Sequence, residues 1–454
     1  MSLKRAASRV RVLSLVVVVG LVLAACGSSS KSKSAGTNAT TPTSSGAPQV
    51  KVTAPGVTDT EIRFGAFGTN SANPLGTCVL DCFTDGIKAY FAWRNSQGGI
   101  YGRQLVLSKK LDDQLGQNQQ KALELIAAND TFAGFAAGQL ATGWAEFAKA
   151  NIPLYVWNIW PAEAAKPSIF GNAGVICIVC TNRTVAYAVK LAGAKKVAAL
   201  GYDVSENSKQ SALTTAKSIE MYSKDIGGAH AVYTNANLAF GLANGIGPEV
   251  TAMKKAGVDF VAGSLDLNGM LKVAQEMQRQ GMGSVPLFHA NTYDQDFVTK
   301  AGTLFEGDYV AVGFRPFEGN AAGSDLDTYK QWMAKNGSKL TEISMDGWIV
   351  ADEAYQGIKL AGPSFDRAKV IEASNTKMDR YTAGGLIAPI DWSRQHQVPT
   401  QDNPAAHGNV PDCFALVQVK SGKFQVVGGT KDAPWICWPG DTRAWSEPTP
   451  TNFK

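Results

Sequence analysis

The side chains with the greatest capacity for covalent chemistry in this chain of 454 residues are its seven cysteines. Cys26 ends an apolar run near the N-terminus, and six more cysteines follow it. In an oxidising compartment these six are expected to form disulfides, and their spacing suggests three pairs, although other pairings are possible. The suggested pairs are Cys78–Cys82, Cys177–Cys180 and Cys413–Cys437.

One of these pairs meets a geometric objection. The run Cys177-Ile178-Val179-Cys180 has the composition of a β-strand, and an extended strand holds residues three apart at ~10 Å. A disulfide needs Cα atoms within ~7 Å of each other. Either the chain bends at this point, or the two cysteines have other partners.

Metal binding and catalysis find little support in the sequence. The four histidines, His230, His289, His396 and His407, lack ligand spacing, and no second close cysteine pair accompanies Cys177 and Cys180. The sequence contains no Gly-x-Ser-x-Gly elbow, His-Glu-x-x-His pair or Gly-x-x-x-x-Gly-Lys-Ser/Thr loop. We therefore expect no metal, no cofactor and no enzymatic activity. A redox role for the Cys-x-x-Cys motif and an extracellular hydrolase are the disfavoured alternatives.

The N-terminus predicts export and lipid anchoring. A basic segment precedes an apolar run of 14 residues at positions 12–25, whereas a membrane span needs ~20. The end of that run, Leu-Ala-Ala-Cys at 23–26, resembles the lipobox of bacterial lipoproteins, whose cysteine is joined to diacylglycerol. Residues 1–25 are then a signal peptide and Cys26 a lipid anchor at the outer face of the cell membrane. The Ser-, Thr-, Gly- and Pro-rich residues 26–56 predict a flexible tether.

Removal of the signal peptide on export would lower the net charge. The formal charge is +5, but Lys4, Arg5, Arg9 and Arg11 supply four of those charges, so +1 remains once the signal is removed. A chain that binds nucleic acid needs a basic surface for the phosphates. We therefore expect no nucleic-acid partner.

Beyond residue 56, strand and helix patterns alternate. Strands are predicted at 61–67, 197–201, 260–263 and 285–289, and helices at 86–95, 213–224, 249–256 and 270–280. Two more helices are expected after residue 312, and then a closing hairpin of strands 413–419 and 424–427. Such alternation predicts an α/β fold with two doubly wound parallel sheets, each covered by helices on both faces.

Residues 95–105, Asn-Ser-Gln-Gly-Gly-Ile-Tyr-Gly-Arg-Gln-Leu, resemble the hallmark turn of type I periplasmic binding proteins of the leucine/isoleucine/valine-binding group. Residues 58–65 are similar to the family's entry to its first strand, and residues 111–113 to its passage into the second helix. The resemblance implies two lobes joined by three crossovers, near residues 174–180, 312–318 and 387–391, with a ligand cleft between the lobes. Lobe I is then 57–176 plus 317–388, and lobe II is 177–316 plus 389–454.

The resemblance also places ligand-binding positions on this chain. In the first lobe they follow two strands, at Gln139-Leu140-Ala141 and at Asn158 to Trp160, with Asn70 and Ser71 on the first loop as further candidates. In amino-acid binders these positions are typically Ser, Ala and Thr. Here amides and an indole stand there instead, which favours a neutral polar ligand over a zwitterion.

Candidates in the second lobe also follow strands. They are Glu206, Asn207, Asp266 and Asn291, with Tyr293 close by. Either acid is a candidate partner for a ligand ammonium. The competing interpretation for each of these residues is a helix cap or a solvated loop, because Ser, Asp and Asn favour those positions without any ligand.

These features together predict an extracytoplasmic, lipid-anchored substrate-binding protein of an ABC importer, with a small polar ligand such as an amino acid or amide. As the resemblance implies, its partners are permease and ATPase subunits, and the membrane through Cys26. The alternative is a ligand-sensing receptor component without transport.

Overall fold

The chain builds two separate β-sheets and passes between them three times. The computed structural model describes residues 49–454 except 75, 158–162, 164, 176, 291, 399 and 403–411. The expected signal peptide, Cys26 and most of the expected tether therefore lie outside the described residues, as do Asn158, Trp160 and Asn291. The predicted α/β class with two sheet-based lobes is confirmed.

The first sheet contains five parallel strands in the order β2-β1-β3-β4-β5. Because β2 and β3 lie on opposite sides of β1, the chain leaves β1 and β3 in opposite directions and opens a crevice at their carboxyl ends. The elements are β1 Glu61–Gly68, α1 Leu80–Ser96, β2 Gln104–Asp112, α2 Asn118–Ala128, β3 Ala133–Ala137, α3 Trp144–Lys149, β4 Leu154–Val156 and β5 Ile169–Gly171.

The second sheet contains nine strands, ordered β14-β13-β11-β10-β9-β8-β6-β7, with β12 paired to β11. Strands β6 to β10 are parallel, and β6 lies between β7 and β8, so a second crevice opens at its carboxyl end. The elements up to β10 are α4 Arg183–Ala192, β6 Lys196–Tyr202, α5 Glu206–Met221, β7 His230–Leu238, α6 Gly247–Ala256, β8 Phe260–Ser264, α7 Leu267–Arg279, β9 Leu287–His289, α8 Gln295–Ala301 and β10 Tyr309–Val312.

Antiparallel strands complete the second sheet. They are β11 Asp412–Lys420, β12 Lys423–Val427, β13 Trp435–Trp438 and β14 Thr449–Thr451. The predicted closing hairpin is β11–β12, which turns at Ser421 and Gly422. Strand β11 pairs with both β10 and β13, so the C-terminal chain extends the parallel part of the sheet instead of standing apart from it.

Three helices, not the two predicted, return to the first sheet after β10: α9 Leu326–Lys335, α10 Glu342–Ala361 and α11 Arg367–Lys377. The third was missed because its sequence is mostly polar and buries only Val370, Ile371, Ala373 and Ser374. We call the first sheet with α1–α3 and α9–α11 lobe I, and the second sheet with α4–α8 lobe II. Within the described ranges, no helix is long and apolar enough to cross a membrane.

Helices α1 and α10 pack backbone against backbone in lobe I. A Cβ atom at Gly86 of α1 would lie 1.9 Å from the carbonyl oxygen of Ser344, and one at Gly347 of α10 would lie 2.0 Å from that of Phe83. Any larger side chain at either glycine would push the helices apart. This contact fixes the position of α10, whose first turn reaches towards lobe II.

The chain crosses between the lobes after β5, after β10, and between α11 and β11. The structure contains the three disulfides that spacing suggested, with Cα–Cα distances of 5.6 Å for Cys78–Cys82, 5.4 Å for Cys177–Cys180 and 4.2 Å for Cys413–Cys437. The geometric objection to Cys177–Cys180 is resolved by a bend: the two residues flank a turn, in which the N–H of Cys180 donates to the carbonyl of Cys177.

Candidate functional site

The two lobes meet where the strands of each sheet end. Asn268, on the first turn of α7 in lobe II, donates its side-chain amide to the carbonyl of Pro74 on the loop after β1, over 2.8 Å. Glu342, the first residue of α10 in lobe I, accepts a 3.3 Å hydrogen bond from the backbone N–H of Tyr293 in lobe II. We call the space between these facing strand ends the cleft.

Four side chains at the cleft, three of them on loops and Asn207 on the first turn of α5, carry a buried polar atom without a hydrogen-bond partner in the described part of the chain. They are the Nε2 of Gln139, the Nε1 of Trp157, the Oδ1 of Asn172 and the Oδ1 of Asn207. A buried polar atom left unpaired costs ~1–3 kcal/mol. Other unpaired buried atoms lie elsewhere in the fold, such as those of Ser374 and Trp435, but these four lie near the strand ends, where a bound molecule could satisfy them.

The sheet register brings three of these side chains to neighbouring strand ends. Ala136, Val156 and Gly171 are aligned across β3, β4 and β5. Trp157 and Asn172 each come directly after their strand, and Gln139 comes two residues after β3. Because adjacent strands lie ~4.8 Å apart, a small molecule can contact all three loops at once.

Asn172 is a functional candidate that the sequence analysis missed. It follows β5, a strand of only three residues after Pro167 that showed no recognisable pattern. Its Nδ2 donates to Asp346 of α10 over 2.5 Å, which leaves its carbonyl oxygen unpaired. The one signal that could have found it is the short apolar run Ile169-Phe170 followed by Gly and Asn.

The predicted first-loop residues lie on the loop after β1, where the backbone N–H groups of both and the hydroxyl of Ser71 are already used. The backbone N–H groups of Asn70 and Ser71 each donate to the carboxylate of Asp112 over 3.0 Å, and the Ser71 hydroxyl donates over 2.5 Å. Burial opposes ionisation of Asp112, yet these bonds hold its pKa below the ordinary value. Ser71 therefore shapes the loop and has little capacity left for a ligand.

Both predicted lobe II acids are also engaged within their own lobe. Asp266 caps α7 by accepting from the N–H of Gly269 and also accepts the hydroxyl of Tyr202. Glu206, exposed at the start of α5, accepts from the side chain of Gln210. The helix-cap interpretation thus accounts for Asp266, and an intrahelical pair accounts for Glu206. Asn207, with its unpaired oxygen, is the described lobe II candidate best placed for a ligand.

Two carboxyl groups on α10 give the cleft an acidic corner. Burial raises the pKa of Glu342 to about 7, helped by the nearby Asp294 charge and opposed by the hydrogen bond from Tyr293. Burial and the Glu342 charge raise the pKa of Asp346 well above its usual range, although Asn172 donates to it. These acids were not among the candidates predicted from the sequence, which indicated only that helices follow residue 312.

Apolar side chains border the same strand ends. Leu140, after β3, is 50% exposed and Val204, after β6, is 74% exposed. Ala141 is partly buried beside Leu140. Aliphatic groups exposed on facing loops are suited to cover the apolar part of a bound molecule. In the described ranges, no group of three or more His, Cys, Asp or Glu side chains is arranged to hold a metal ion.

Known structures share this architecture. A fatty acid ABC transporter substrate-binding protein from Thermomonospora curvata matches with a TM-score of 0.65 at 17% identity, covering 88% of this chain and 98% of that one. A solute-binding protein from R. palustris in complex with 4-hydroxybenzoate matches with a TM-score of 0.64 at 18% identity, covering 84% and 98%. A branched-chain amino acid ABC transporter structure from Thermus thermophilus with bound valine gives 0.62 at 16% identity, covering 82% and 96%.

At less than 20% identity these structural matches show the fold alone. A match to a family model can show the family as well. No curated protein matches the chain significantly. The family model described as periplasmic binding protein matches residues 61–423, which is most of the chain. Proteins of this family act outside the cytoplasm by binding small molecules and are not enzymes. The chain therefore belongs to the periplasmic binding protein family.

Proposed function

We propose that this protein is the lipid-anchored substrate-binding component of an ABC importer and captures a small polar ligand between its two lobes. The observation that carries the proposal is the set of unpaired buried polar atoms at the cleft, on Gln139, Trp157, Asn172 and Asn207. Family membership supplies the mode of action, since binding proteins of this kind close around their ligands.

The chemistry of the unpaired atoms describes the ligand. Gln139 and Trp157 offer N–H donors, whereas Asn172 and Asn207 offer carbonyl acceptors. A matching ligand presents both a hydrogen-bond acceptor and a donor, as amides and amino acids do. Leu140 and Val204, both exposed at the cleft, supply contact for an aliphatic or ring portion.

Ligand binding would act on the lobes by shifting a population. Only a few direct bonds cross the cleft in the described chain, such as Asn268 to Pro74 and Tyr293 to Glu342. A ligand that contacts both lobes makes more bonds in the closed arrangement than in the open one. It therefore favours closure by its difference in affinity for the two states.

The N-terminal sequence supports the anchor, and family membership supports the partners. The proposed tether of about 30 residues gives a Gly/Ser-type reach of ~30 Å from a lipid-modified Cys26. That reach would let the lobes engage a permease while staying at the membrane. The chain has no Gly-x-x-x-x-Gly-Lys-Ser/Thr loop, so ATP hydrolysis belongs to separate ATPase subunits.

The direct test is to purify the protein, extract any bound small molecule and identify it by mass spectrometry. A thermal-shift panel of valine, 4-hydroxybenzoate, benzoate, a fatty acid and simple amides follows. Asn158→Ala and Trp160→Ala are expected to weaken binding without unfolding the protein, as is Asn207→Ala. Full retention of affinity in all three variants would place the ligand elsewhere. Unchanged uptake of the identified ligand after deletion of the gene would favour the sensing alternative over import.

A further inference from the structure

A cavity of about 210 Å³ lies where the three crossovers between the lobes come together. Its walls come from seven residues of the first crossover between Ala173 and Asn182, from Gly313 of the second and from residues 387–390 of the third. The start of β11 and the side chains of Ser211 and Thr214 on α5 close the remaining sides. We call this space the hinge cavity; its lining includes none of Gln139, Trp157, Asn172 and Asn207, although Ala173 directly follows Asn172.

An excess of positive charge borders the hinge cavity. The carboxylate of Asp412 accepts from Arg183 over 2.8 Å and from Arg443 over 3.2 Å, through the same oxygen, Oδ2. The side chains of Arg183, Arg443 and Asp412 are 0%, 11% and 18% exposed. Two buried guanidinium groups thus share one carboxylate within the described chain, and one positive charge is left without a counterpart.

Each of the two guanidinium groups also has an N–H donor without an acceptor in the described chain. The Nε atoms of Arg183 and Arg443 are buried and have no acceptor in the described chain. Burial lowers the pKa of Arg443, and the charge of Arg183 adds to this effect, although Asp412 partly offsets it. Buried charges in proteins are normally matched by opposite charge and by hydrogen bonds. An anion in the hinge cavity would provide both.

Two further features suit an organic anion. Helix α4 begins at Arg183 beside the cavity, so its N-terminal dipole adds to the positive field. Much of the remaining lining is apolar, from Ile387, Pro389, Ile390 and Phe414, and a bare inorganic ion would leave these groups uncovered. The lining thus has a charged end and an apolar end.

We propose that the hinge cavity binds a small organic carboxylate, with the carboxylate against Arg443 and the hydrocarbon part against residues 387–390. Because all three crossovers form its walls, occupancy favours the arrangement of the crossovers in which the cavity exists. The bound carboxylate is therefore coupled to the opening and closing of the cleft, and the coupling is reciprocal. The proposal stands independently of the identity of the cleft ligand.

Acetate, butyrate and benzoate test the site, by thermal shift and calorimetry on the purified protein, against sodium chloride at equal ionic strength. The wild-type protein is expected to show a saturable rise in Tm with butyrate or benzoate. Arg443→Gln should weaken that binding at least tenfold, whereas the exposed Arg380→Gln should leave it unchanged. Ala388→Leu keeps every charge but fills the cavity, and it should also abolish binding while preserving the fold.

Binding in the cleft has to be separated from binding at the hinge. Gln139→Leu alters the cleft and is expected to keep the carboxylate affinity of the wild type, whereas Ala388→Leu is expected to keep any cleft ligand that co-purifies. Equal carboxylate affinity in the wild type, Arg443→Gln and Ala388→Leu would overturn the proposal. A Tm shift with the carboxylates no larger than that with sodium chloride would also overturn the proposal. Loss of carboxylate affinity in Gln139→Leu alone would show that the carboxylate binds in the cleft.

Discussion

Asn268 of lobe II donates its side-chain amide to the backbone carbonyl of Pro74 in lobe I over 2.8 Å. The neighbouring Gly76 makes room for this bond, because a Cβ atom there would lie 2.5 Å from the Oδ1 of Asn268. The bond joins α7, which begins after β8, to the loop after β1. It therefore links the two crevices that the strand orders create.

Removal of this bond should open the cleft. Asn268→Ala loses one partly exposed neutral hydrogen bond, worth ~0.5–1.5 kcal/mol, so the ratio of closed to open molecules should fall roughly 2- to 10-fold. The radius of gyration measured by small-angle X-ray scattering should increase. Asn336→Ala is the matched control, since its amide donates to Ser338, within lobe I. An unchanged radius of gyration in Asn268→Ala would show that the bond does not hold the lobes.

An unpaired amide at the cleft should lower the free energy of unfolding, whereas a paired amide in the core should raise it. Asn207 keeps an unpaired buried oxygen, and Asn118 both donates to Asp113 over 2.8 Å and accepts from the N–H of Gly143 over 2.9 Å. Asn207→Leu should therefore change the free energy of unfolding by less than ~0.5 kcal/mol, or raise it, whereas Asn118→Leu should lower it by ~2–3 kcal/mol.

The same pair of variants separates binding from folding. Asn207→Leu should lose the co-purified ligand despite its normal stability in urea denaturation. If Asn207→Leu were destabilised as strongly as Asn118→Leu, its side chain would have a structural role, and the unpaired atom would not mark a ligand site.

The sequence predicted most of the fold because its periodic elements are long. The strand at β6 and helices such as α5 and α7 carry apolar residues at regular spacing, and the turn at residues 95–105 identified how the lobes are joined. What escaped prediction was short or polar: β5 has three residues, and α11 buries few apolar side chains. Local pattern carries little information for such elements, since their positions depend on packing against the rest of the lobe.

The candidate site was predicted less completely than the fold. Strand ends can be located from the sequence, and this placed Gln139 and Asn207 near the cleft, although Asn207 lies on the first turn of α5 and not on a loop. Whether a side chain there is free depends on partners far away in the chain: Asp266 is occupied by Tyr202, 64 residues away, and Asn172 meets Asp346 across 174 residues. Sequence spacing does not record such contacts.

Stability should fall as the pH rises through neutrality, because of Glu342. Burial raises the pKa of this carboxyl to about 7, so the folded protein binds a proton that the unfolded chain, with an ordinary glutamate pKa, releases. This contribution is complete below the unfolded pKa, ~4.3, and is lost as the pH rises through about 7. The loss should amount to ~2 kcal/mol, after allowance for partial exposure.

Glu342→Gln should flatten this part of the pH dependence. Comparison of Tm at pH 5 and pH 8 should show a smaller difference in the variant than in the wild type, while the exposed Glu372→Gln should match the wild type. Some dependence should persist, because burial also raises the pKa of Asp346. An identical pH dependence in Glu342→Gln and the wild type would mean that the carboxyl is ionised throughout.

Two histidine–carboxylate pairs of nearly equal geometry offer a test of burial alone. The Nε2 of His289 lies 2.8 Å from Asp308, with side chains 1% and 4% exposed, and the Nδ1 of His230 lies 2.9 Å from Glu220, with side chains 61% and 50% exposed. Each carboxylate also accepts one backbone N–H, from Leu287 or from Ala231. The two pairs thus differ chiefly in their access to water.

Asp308→Ala should lower the free energy of unfolding by ~3 kcal/mol, because it leaves His289 and the N–H of Leu287 buried without an acceptor. Glu220→Ala should cost less than ~1 kcal/mol, since water replaces the lost partner at the surface. Urea denaturation midpoints at constant pH measure both losses. His289 ends β9, and Asp308 directly precedes β10, which leads into the second crossover, so Asp308→Ala should also broaden the unfolding transition of lobe II. Equal losses in the two variants would show that hydrogen-bond geometry, and not burial, sets the strength of these pairs.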